Sequence, residues 1–377
     1  MYKIQIKNVL CFLILMLTIN CFFWENMALA QEKKTRIIVD NYGRHIEIPK
    51  KVKRIACMPG SSYEMVFMLG GKDQIGQIRK DHRTAYPLAN LTNPDLINYS
   101  SSLTNINPKA RINIEEFIKI APDVVIYYNV PNAIQKFEEA FIPVYVYQPN
   151  KKSKDFDEAI RGEKNTMRSF ANLLGGKAVQ KAEKWCSYYD EKVALIRSRT
   201  ENIPEDQRPR VYMGNSWGRN PLSTWAGNTM TFAISICGGI CVTKDIKGAK
   251  FPEVNLEQVI SWNPDVIIID NHGREPDKVI KNICNDPEWS VLNAVKNKRV
   301  HRIPSGVFFL DKGSSRPVYL LWLAKQVTPE KFTDIDMVDE IRFYFKEFYD
   351  FDLSRKDAEH ALRGWDGNYS NKKSTKG

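Results

Sequence analysis

Histidine and cysteine are both scarce in this 377-residue chain, with five of the first and seven of the second. The five histidines, His45, His82, His272, His301 and His360, make no pair at i, i+4 and no cluster with cysteine, so a protein-held metal centre is not expected. No His-Glu-x-x-His occurs, and the serine cluster Gly60-Ser61-Ser62 reads as a helix cap, so catalysis is not expected either. Cys57, Cys186, Cys237, Cys241 and Cys284 are too sparse for a disulfide scaffold. One bridge among Cys237, Cys241 and Cys284 is left open, because spacing does not choose partners. After the first 30 residues no long apolar run recurs.

Those first residues carry Lys3 and Lys7, the apolar run Val9 to Trp24, and Ala28-Leu29-Ala30, the order of a secretory signal peptide. Residues 1–30 are therefore expected to be removed and the mature chain to be periplasmic. Lipid anchoring at Cys21 is the less favoured alternative, because Thr18-Ile19-Asn20 lacks the small residue that attachment wants. The formal charge of +11 favours anionic partners. With no recognition motif and an exported chain, nucleic acid is not expected to be one of them.

The most informative feature is an internal repeat. Asn113-Ile-Glu-Glu-Phe-Ile-Lys-Ile-Ala-Pro-Asp-Val-Val-Ile-Tyr-Tyr128 returns as Asn255-Leu-Glu-Gln-Val-Ile-Ser-Trp-Asn-Pro-Asp-Val-Ile-Ile-Ile-Asp270, 142 positions on (255 less 113). A solenoid repeats every 20 to 50 residues or so, whereas an interval this long separates two similar lobes. Each copy predicts an Asn N-cap, a capping box with Glu116 or Gln258, a short helix stopped by proline, and a buried strand of a parallel sheet. Strand and helix alternate in both halves, so the expected fold class is α/β: two Rossmann-like lobes joined by one long rigid helix, with a ligand cleft between them. The expected boundaries are residues 31–174 for the first lobe, 175–207 for the connecting helix, 208–363 for the second lobe and 364–377 for a polar tail.

These segments, with Arg54-Ile-Ala-Cys-Met-Pro-Gly-Ser-Ser-Tyr-Glu64, Cys237-Gly-Gly239, Asp286-Pro-Glu-Trp289 and Lys298-Arg-Val300, resemble the class III substrate-binding proteins of ABC importers for iron siderophores, haem and cobalamin. The resemblance runs from about Arg36 to Leu362. It implies a monomer without a cofactor that passes a small-molecule metal chelate to a permease dimer and its ATPase. It further implies that one glutamate per lobe docks on the permease, and the motif matches place these at Glu115 and Glu257.

In α/β sheets ligands sit beyond the carboxyl ends of the strands. That rule nominates Met58, Tyr63, His82, Arg83, Tyr86, Tyr127, Tyr128, Trp217, Arg219, Trp225, His272, Phe308 and Arg316 as ligand-binding. Trp217 and Trp225 lie in a loop without helical spacing, where aromatic faces cover flat ligands and Arg219 offers a fork for carboxylates or catecholates. Arg316 has a plainer role open to it as a surface partner of Asp311. Only His82 and His272 fall in loops from which a histidine reaches a ligand's metal, and the metal is expected to arrive inside an organic chelator. A ferric siderophore is the leading ligand, with haem, cobalamin or a nickel or cobalt chelate as alternatives.

Overall fold

The computed structural model describes residues 34–78, 87–94, 112–147, 153–215, 221–226, 229–246, 252–270, 276–307 and 310–363. An antiparallel hairpin, β1 (Thr35–Val39) and β2 (His45–Pro49), comes first. The first lobe continues through β3 (Ile55–Cys57), α1 (Gly60–Met68), β4 (Ile75–Ile78), α2 (Pro87–Thr92), α3 (Ile114–Ile120), β5 (Val124–Tyr127), α4 (Pro131–Glu139) and β6 (Val144–Val146). Two long helices follow, α5 (Phe156–Leu174) and α6 (Ala178–Thr200). The second lobe holds β7 (Arg210–Asn215), α7 (Thr229–Ile236), β8 (Ile240–Cys241), α8 (Leu256–Trp262), β9 (Val266–Asp270), α9 (Pro276–Asn285), α10 (Asn293–Lys296) and β10 (Val300–Arg302). It ends with α11 (Arg316–Val327), α12 (Met337–Tyr349) and α13 (Arg355–Arg363).

Each lobe is built on a four-stranded parallel sheet, in the order β4-β3-β5-β6 in the first and β10-β9-β7-β8 in the second. Every residue of β5 and of β9 is buried, as unbroken apolar runs covered by helices on both faces must be. The repeat is visible down to its hydrogen bonds. In the first lobe the Asp123 carboxylate accepts from the Lys53 and Arg54 backbone N–H groups at 2.6 and 2.9 Å, while the Arg54 guanidinium donates to the Ile120 carbonyl. In the second, Asp265 accepts from the Arg210 N–H at 2.9 Å and the Arg210 side chain donates to the Trp262 carbonyl at 2.9 Å. Both helices stop on a left-handed residue, Ala121 at φ 46° and Asn263 at φ 42°. An arginine opening the central strand thus holds the carbonyl end of each helix at the amino edge of its sheet, where a cation also complements the helix dipole. The opposite ends of α3 and α8 accordingly lie at the carboxyl edges.

Several expectations need correcting. The segment Pro59-Gly60-Ser61-Ser62 is the start of α1 and not a turn, and Pro317 sits in the first turn of α11, where a missing N–H costs nothing. Among the described residues three α-helices follow β10. The capping boxes are incomplete. Asn255 accepts from the Gln258 N–H at 2.8 Å, but the Gln258 side chain turns to Ser261, and Asn113 only meets the Glu116 carboxylate through its own amide. Cys57, Cys186, Cys237 and Cys241 are buried free thiols and Cys284 is an exposed one, so none of the candidate bridges forms.

The connecting helix α6 runs antiparallel to α5, the chain reversing through Gly175 (φ 75°) and Gly176 (φ 57°), with Lys164–Asp190 and Arg168–Glu183 pairs at 2.7 Å. Phe170 on α5, Trp185, Tyr189 and Ile196 on α6, Ile234 on α7 and Leu320 on α11 belong to one buried cluster that also takes in Ile55 of β3 and Val211 of β7. One core therefore crosses from lobe to lobe. Smaller clusters close the outer faces, around Phe117, Tyr127 and Phe137 in the first lobe and around Tyr212, Val259 and Trp289 in the second.

Where the lobes meet, α1 packs on the turn Gly313–Ser315. Glu64 is fully buried there, and its Oε1 accepts from Ser315 at 2.6 Å, Ser314 at 3.0 Å and Tyr349 at 3.2 Å. Its Oε2 has no side-chain hydrogen-bond partner among the described residues and lies against Gly313, where a Cβ would come within 2.1 Å of it. Burial pushes the Glu64 carboxyl up to about 7, although the three hydroxyls pull it the other way.

Outcomes of two kinds are expected, the first concerning packing. Phe137→Ala, which empties a site between Phe117 (centroids 4.8 Å apart) and Tyr127 (5.6 Å), should cost about 3–5 kcal/mol in urea unfolding. Phe141→Asn, at a 94% exposed residue with φ 57°, should change stability by no more than about 0.5 kcal/mol. The second outcome concerns pH. The folded chain holds the Glu64 proton more tightly than the unfolded chain, whose carboxyl titrates near the ordinary 4.5. Its contribution is therefore fully present below about pH 4.5, declines as pH rises to about 7, and is level above that. The unfolding free energy of wild type relative to Glu64→Gln should fall by about 3 kcal/mol across that window, and a flat difference would contradict this account of the buried carboxyl.

Candidate functional site

The loops that leave the carboxyl ends of the strands converge on this seam. On the first lobe these are Met58 to Ser61 after β3, Tyr128 after β5 and Tyr147 after β6. On the second they are Asp270 at the end of β9 and, after β10, residues 303–307 and 310–316, which include the turn holding Glu64. Trp225 joins them because Gly214 of β7 bridges to Thr224, whose hydroxyl donates to the Met213 carbonyl at 2.6 Å.

A belt of buried polar groups lines the second-lobe wall. The Trp225 indole N–H donates to the Asp270 carboxylate at 3.1 Å. The Lys312 ammonium lies 5.7 Å from the Trp225 ring centre, 3.1 Å from Asp311 and 3.8 Å from Asp270. Burial works against the Lys312 charge, but Asp311 and Asp270 overcome it and raise the pKa, so the ammonium stays protonated. Arg316 donates to the Asp311 carbonyl at 2.8 Å and faces the Glu163 carboxylate of α5 at 3.7 Å. Glu163 also accepts from Tyr189 of α6 at 2.6 Å, which ties the wall to both central helices. Burial alone would lower the Arg316 pKa, yet the Glu163 carboxylate beside it carries the balance upward. The arrangement offers fixed charge and an aromatic face at the sheet edge, and it suits recognition of a ligand without chemistry on it.

Of the residues nominated from sequence, the structure brings Tyr128, Trp225 and Arg316 to this region. Tyr128 is half-buried with its ring 6.0 Å from that of Tyr127. Arg316 is not a surface partner of the Asp311 carboxylate; it is buried, and its carboxylate neighbour is Glu163. Met58, Tyr63 and Tyr127 are core residues as placed. Met58 and Tyr127 pack with Phe137, and Tyr63 stacks on Phe67 at 5.9 Å with Asn93 donating to its hydroxyl at 3.4 Å. His82, Arg83, Tyr86, Trp217, Arg219, His272 and Phe308 lie outside the described residues. Sequence reasoning missed Lys312, Asp270 and Glu163, although Lys312-Gly313 after a strand is a loop signal of the kind that nominated the others.

Glu115 and Glu257 are exposed, and neither is in an ion pair among the described residues. Among those residues no group of three or more His, Cys, Asp and Glu is placed to hold a metal, and no helix is long and apolar enough to cross a membrane. A groove of about 430 Å³ lined by His301, Arg302, Lys281 and Trp322 lies beside the edge strand β10, away from the seam. One further motif was passed over at the level of sequence. Gly214-Asn-Ser-Trp-Gly218 has the Gly-x-Ser-x-Gly spacing of a nucleophile elbow. An elbow turns straight from strand into helix. Here β7 is followed by the bridge at Thr224, and the next helix begins at Thr229.

Comparison with known proteins agrees with this reading of the fold. The molybdate-binding protein MolA of Haemophilus influenzae is 27% identical over 343 residues, 83% of this chain and 91% of that protein. The iron(3+)-hydroxamate-binding protein FhuD of Bacillus subtilis is 23% identical over 282 residues, 71% of this chain and 79% of that one. The solved structure of the Haemophilus influenzae protein bound to molybdate superposes with a TM-score of 0.72 at 24% identity, covering 85% of this chain and 99% of that one. Residues 55–307 match the family described as periplasmic binding protein, and with two parallel-sheet lobes meeting over a polar seam this chain belongs to that family.

Proposed function

We propose that this protein captures an anionic metal species in the seam between its lobes and presents it to the permease dimer of an ABC importer, docking through Glu115 and Glu257. The observation that carries the proposal is the pair of exposed glutamates, free of ion pairs among the described residues, at equivalent places beside the two carboxyl edges. The ligand class is supported by Lys312 over the Trp225 ring at the wall of the seam and, in sequence alone, by Arg83 and Arg219, which come after the residues of β4 and β7. Aromatic faces and guanidinium forks suit a ferric siderophore-type chelate, whose catecholate or carboxylate oxygens take bidentate donors. A second reading, a tetrahedral oxyanion of the molybdate kind, is favoured by the similarity to a molybdate-binding protein along 83% of this chain.

The mature protein purified from its own host, before any dialysis, separates these readings. Bound iron with a charge-transfer absorbance and a chelator in the native mass spectrum is the expected result. Molybdenum without a visible band would select the oxyanion, and a Soret band would select haem. A protein that carries no metal and binds neither ferric chelates nor molybdate saturably would overturn the proposal. For docking, Glu115→Ala combined with Glu257→Ala should reduce uptake into cells at least tenfold while the affinity for whichever of these ligands binds stays within about twofold, since neither residue touches the seam.

A further inference from the structure

The two repeat helices share more than their glutamates. Along α3 the sole buried side chain is Phe117, and along α8 it is Val259, at the equivalent place. One residue further on, each helix turns an isoleucine to solvent: Ile118 is 53% exposed and Ile260 37% exposed. Each follows its glutamate by three positions, so Glu115 with Ile118 and Glu257 with Ile260 lie on one helix face, one turn apart. A single exposed isoleucine needs no explanation. Here the same exposed residue recurs at the same position of both halves, on the turn after each exposed carboxylate, although the neighbouring helix residues have changed from Glu116 and Lys119 to Gln258 and Ser261.

We infer that Glu115–Ile118 and Glu257–Ile260 are two equivalent composite patches, each seating on one half of a two-fold symmetric membrane permease that presents a cation beside an apolar dent. The inference rests on the docking reading above and adds to it the apolar half of the contact and a division of labour. Exposed charges steer the approach and lose influence as salt rises. An isoleucine buried on contact holds the complex by a force that salt does not screen, since burial of apolar surface is non-directional and scales with area. Two patches repeated in one chain match a partner built from two identical subunits, as the symmetry of a closed dimer requires. Lys119 stands beside Ile118 only, so the first patch carries one positive charge that the second does not.

The test labels the full mature chain at Cys284, the exposed thiol among the described residues, and measures its binding to membrane vesicles from host cells with and without the permease, over a range of salt. The double variant Ile118→Ser/Ile260→Ser should bind at least tenfold more weakly with the salt dependence unchanged. Glu115→Gln/Glu257→Gln should flatten the salt dependence, and Val291→Ser, at another exposed apolar residue of the second lobe, should bind as wild type. Unfolding midpoints of all variants should match wild type, and the milder Ile118→Ala/Ile260→Ala should fall between wild type and the serine pair. If the isoleucine pair binds as wild type while the glutamate pair loses binding, the composite patch is wrong and glutamate docking stands. If neither pair alters binding, the docking reading itself is wrong. Loss in the isoleucine pair alone, with the glutamate pair unaffected, would also overturn the composite.

Discussion

A carboxyl group with no cation beside it among the described residues, buried between two lobes, is the constraint around which the rest of this structure is arranged. Glu64 leaves β3 on the first turns of α1 and is met at Oε1 by three hydroxyls, all from beyond residue 313. A buried carboxyl is tolerated only when its hydrogen bonds are supplied, and removing them leaves the full desolvation cost of the group. The lobes therefore have little freedom to slide. Moving Gly313–Ser315 by even an ångström strips Glu64 of its donors, and Gly313 itself, at φ 64°, has no room for a side chain against Oε2. The apolar core shared by α5, α6, α7 and α11 gives the same instruction by a different force. Tight packing and a satisfied polar cage fix one mutual orientation, and the ligand walls on either side of the cage inherit it.

The two halves reach similar geometry by the same local means. An aspartate after the Pro stop binds the backbone that opens the central strand, and an arginine from that strand caps the preceding helix. Each helix is thus held by its carbonyl end, and its first turn, with the exposed glutamate, is delivered to the edge where the ligand loops emerge. The loops at the carboxyl edges and the exposed glutamates are in this way coupled by seven-residue helices anchored at their carbonyl ends. A docking partner that grips both glutamates grips the two sheets directly.

The parts of this fold that could be read in the sequence were those with local causes. Asn before a short amphipathic run, Pro-Asp after it and four or five apolar residues beyond are signals carried by neighbours in the chain, and they located α3, β5, α8 and β9 to within a residue or so. Glu115 and Glu257 were singled out by the family resemblance, and both are exposed in the first turns of these helices. Residues whose fate depends on distant partners were misjudged. Met58 and Tyr127 sit at strand ends and Tyr63 in the first turn of α1, and all three were nominated for the ligand, but the core reaches further along these segments than periodicity suggests and absorbs them. Glu64 and its cage are separated by 250 residues or more, and nothing near either end of that gap announces the other. Arg316 looked like a partner for Asp311 because the two are close in sequence; its ion pair is with Glu163, which a helix brings back across the seam. The capping boxes failed for a subtler reason. Gln258 had Ser261 within reach on the next turn, and that local bond won.

Stiffness and capture place opposed demands on such a molecule, and the distribution of its interactions shows how they are reconciled. The shared core and the Glu64 cage hold the sheets, but the wall next to them is built differently. Lys312 belongs to a network in which every charge has at least one opposite neighbour: Asp270 and Asp311 for the ammonium, Glu163 for Arg316. A ligand entering there need not create a charged site against the cost of desolvation, because the protein has already met that cost with its own pairs; it has only to exchange one partner for another. An anionic ligand competing for Lys312 would relieve the crowding of two carboxylates around one ammonium, and the lost pair would be replaced by one of similar strength. Binding of that kind moves side chains and loop backbone and leaves the sheets where they are. Glu115 and Glu257, on helices tied to those sheets, would then keep nearly the same spacing whether the seam is empty or filled, so any difference between the two states has to arise in the seam itself.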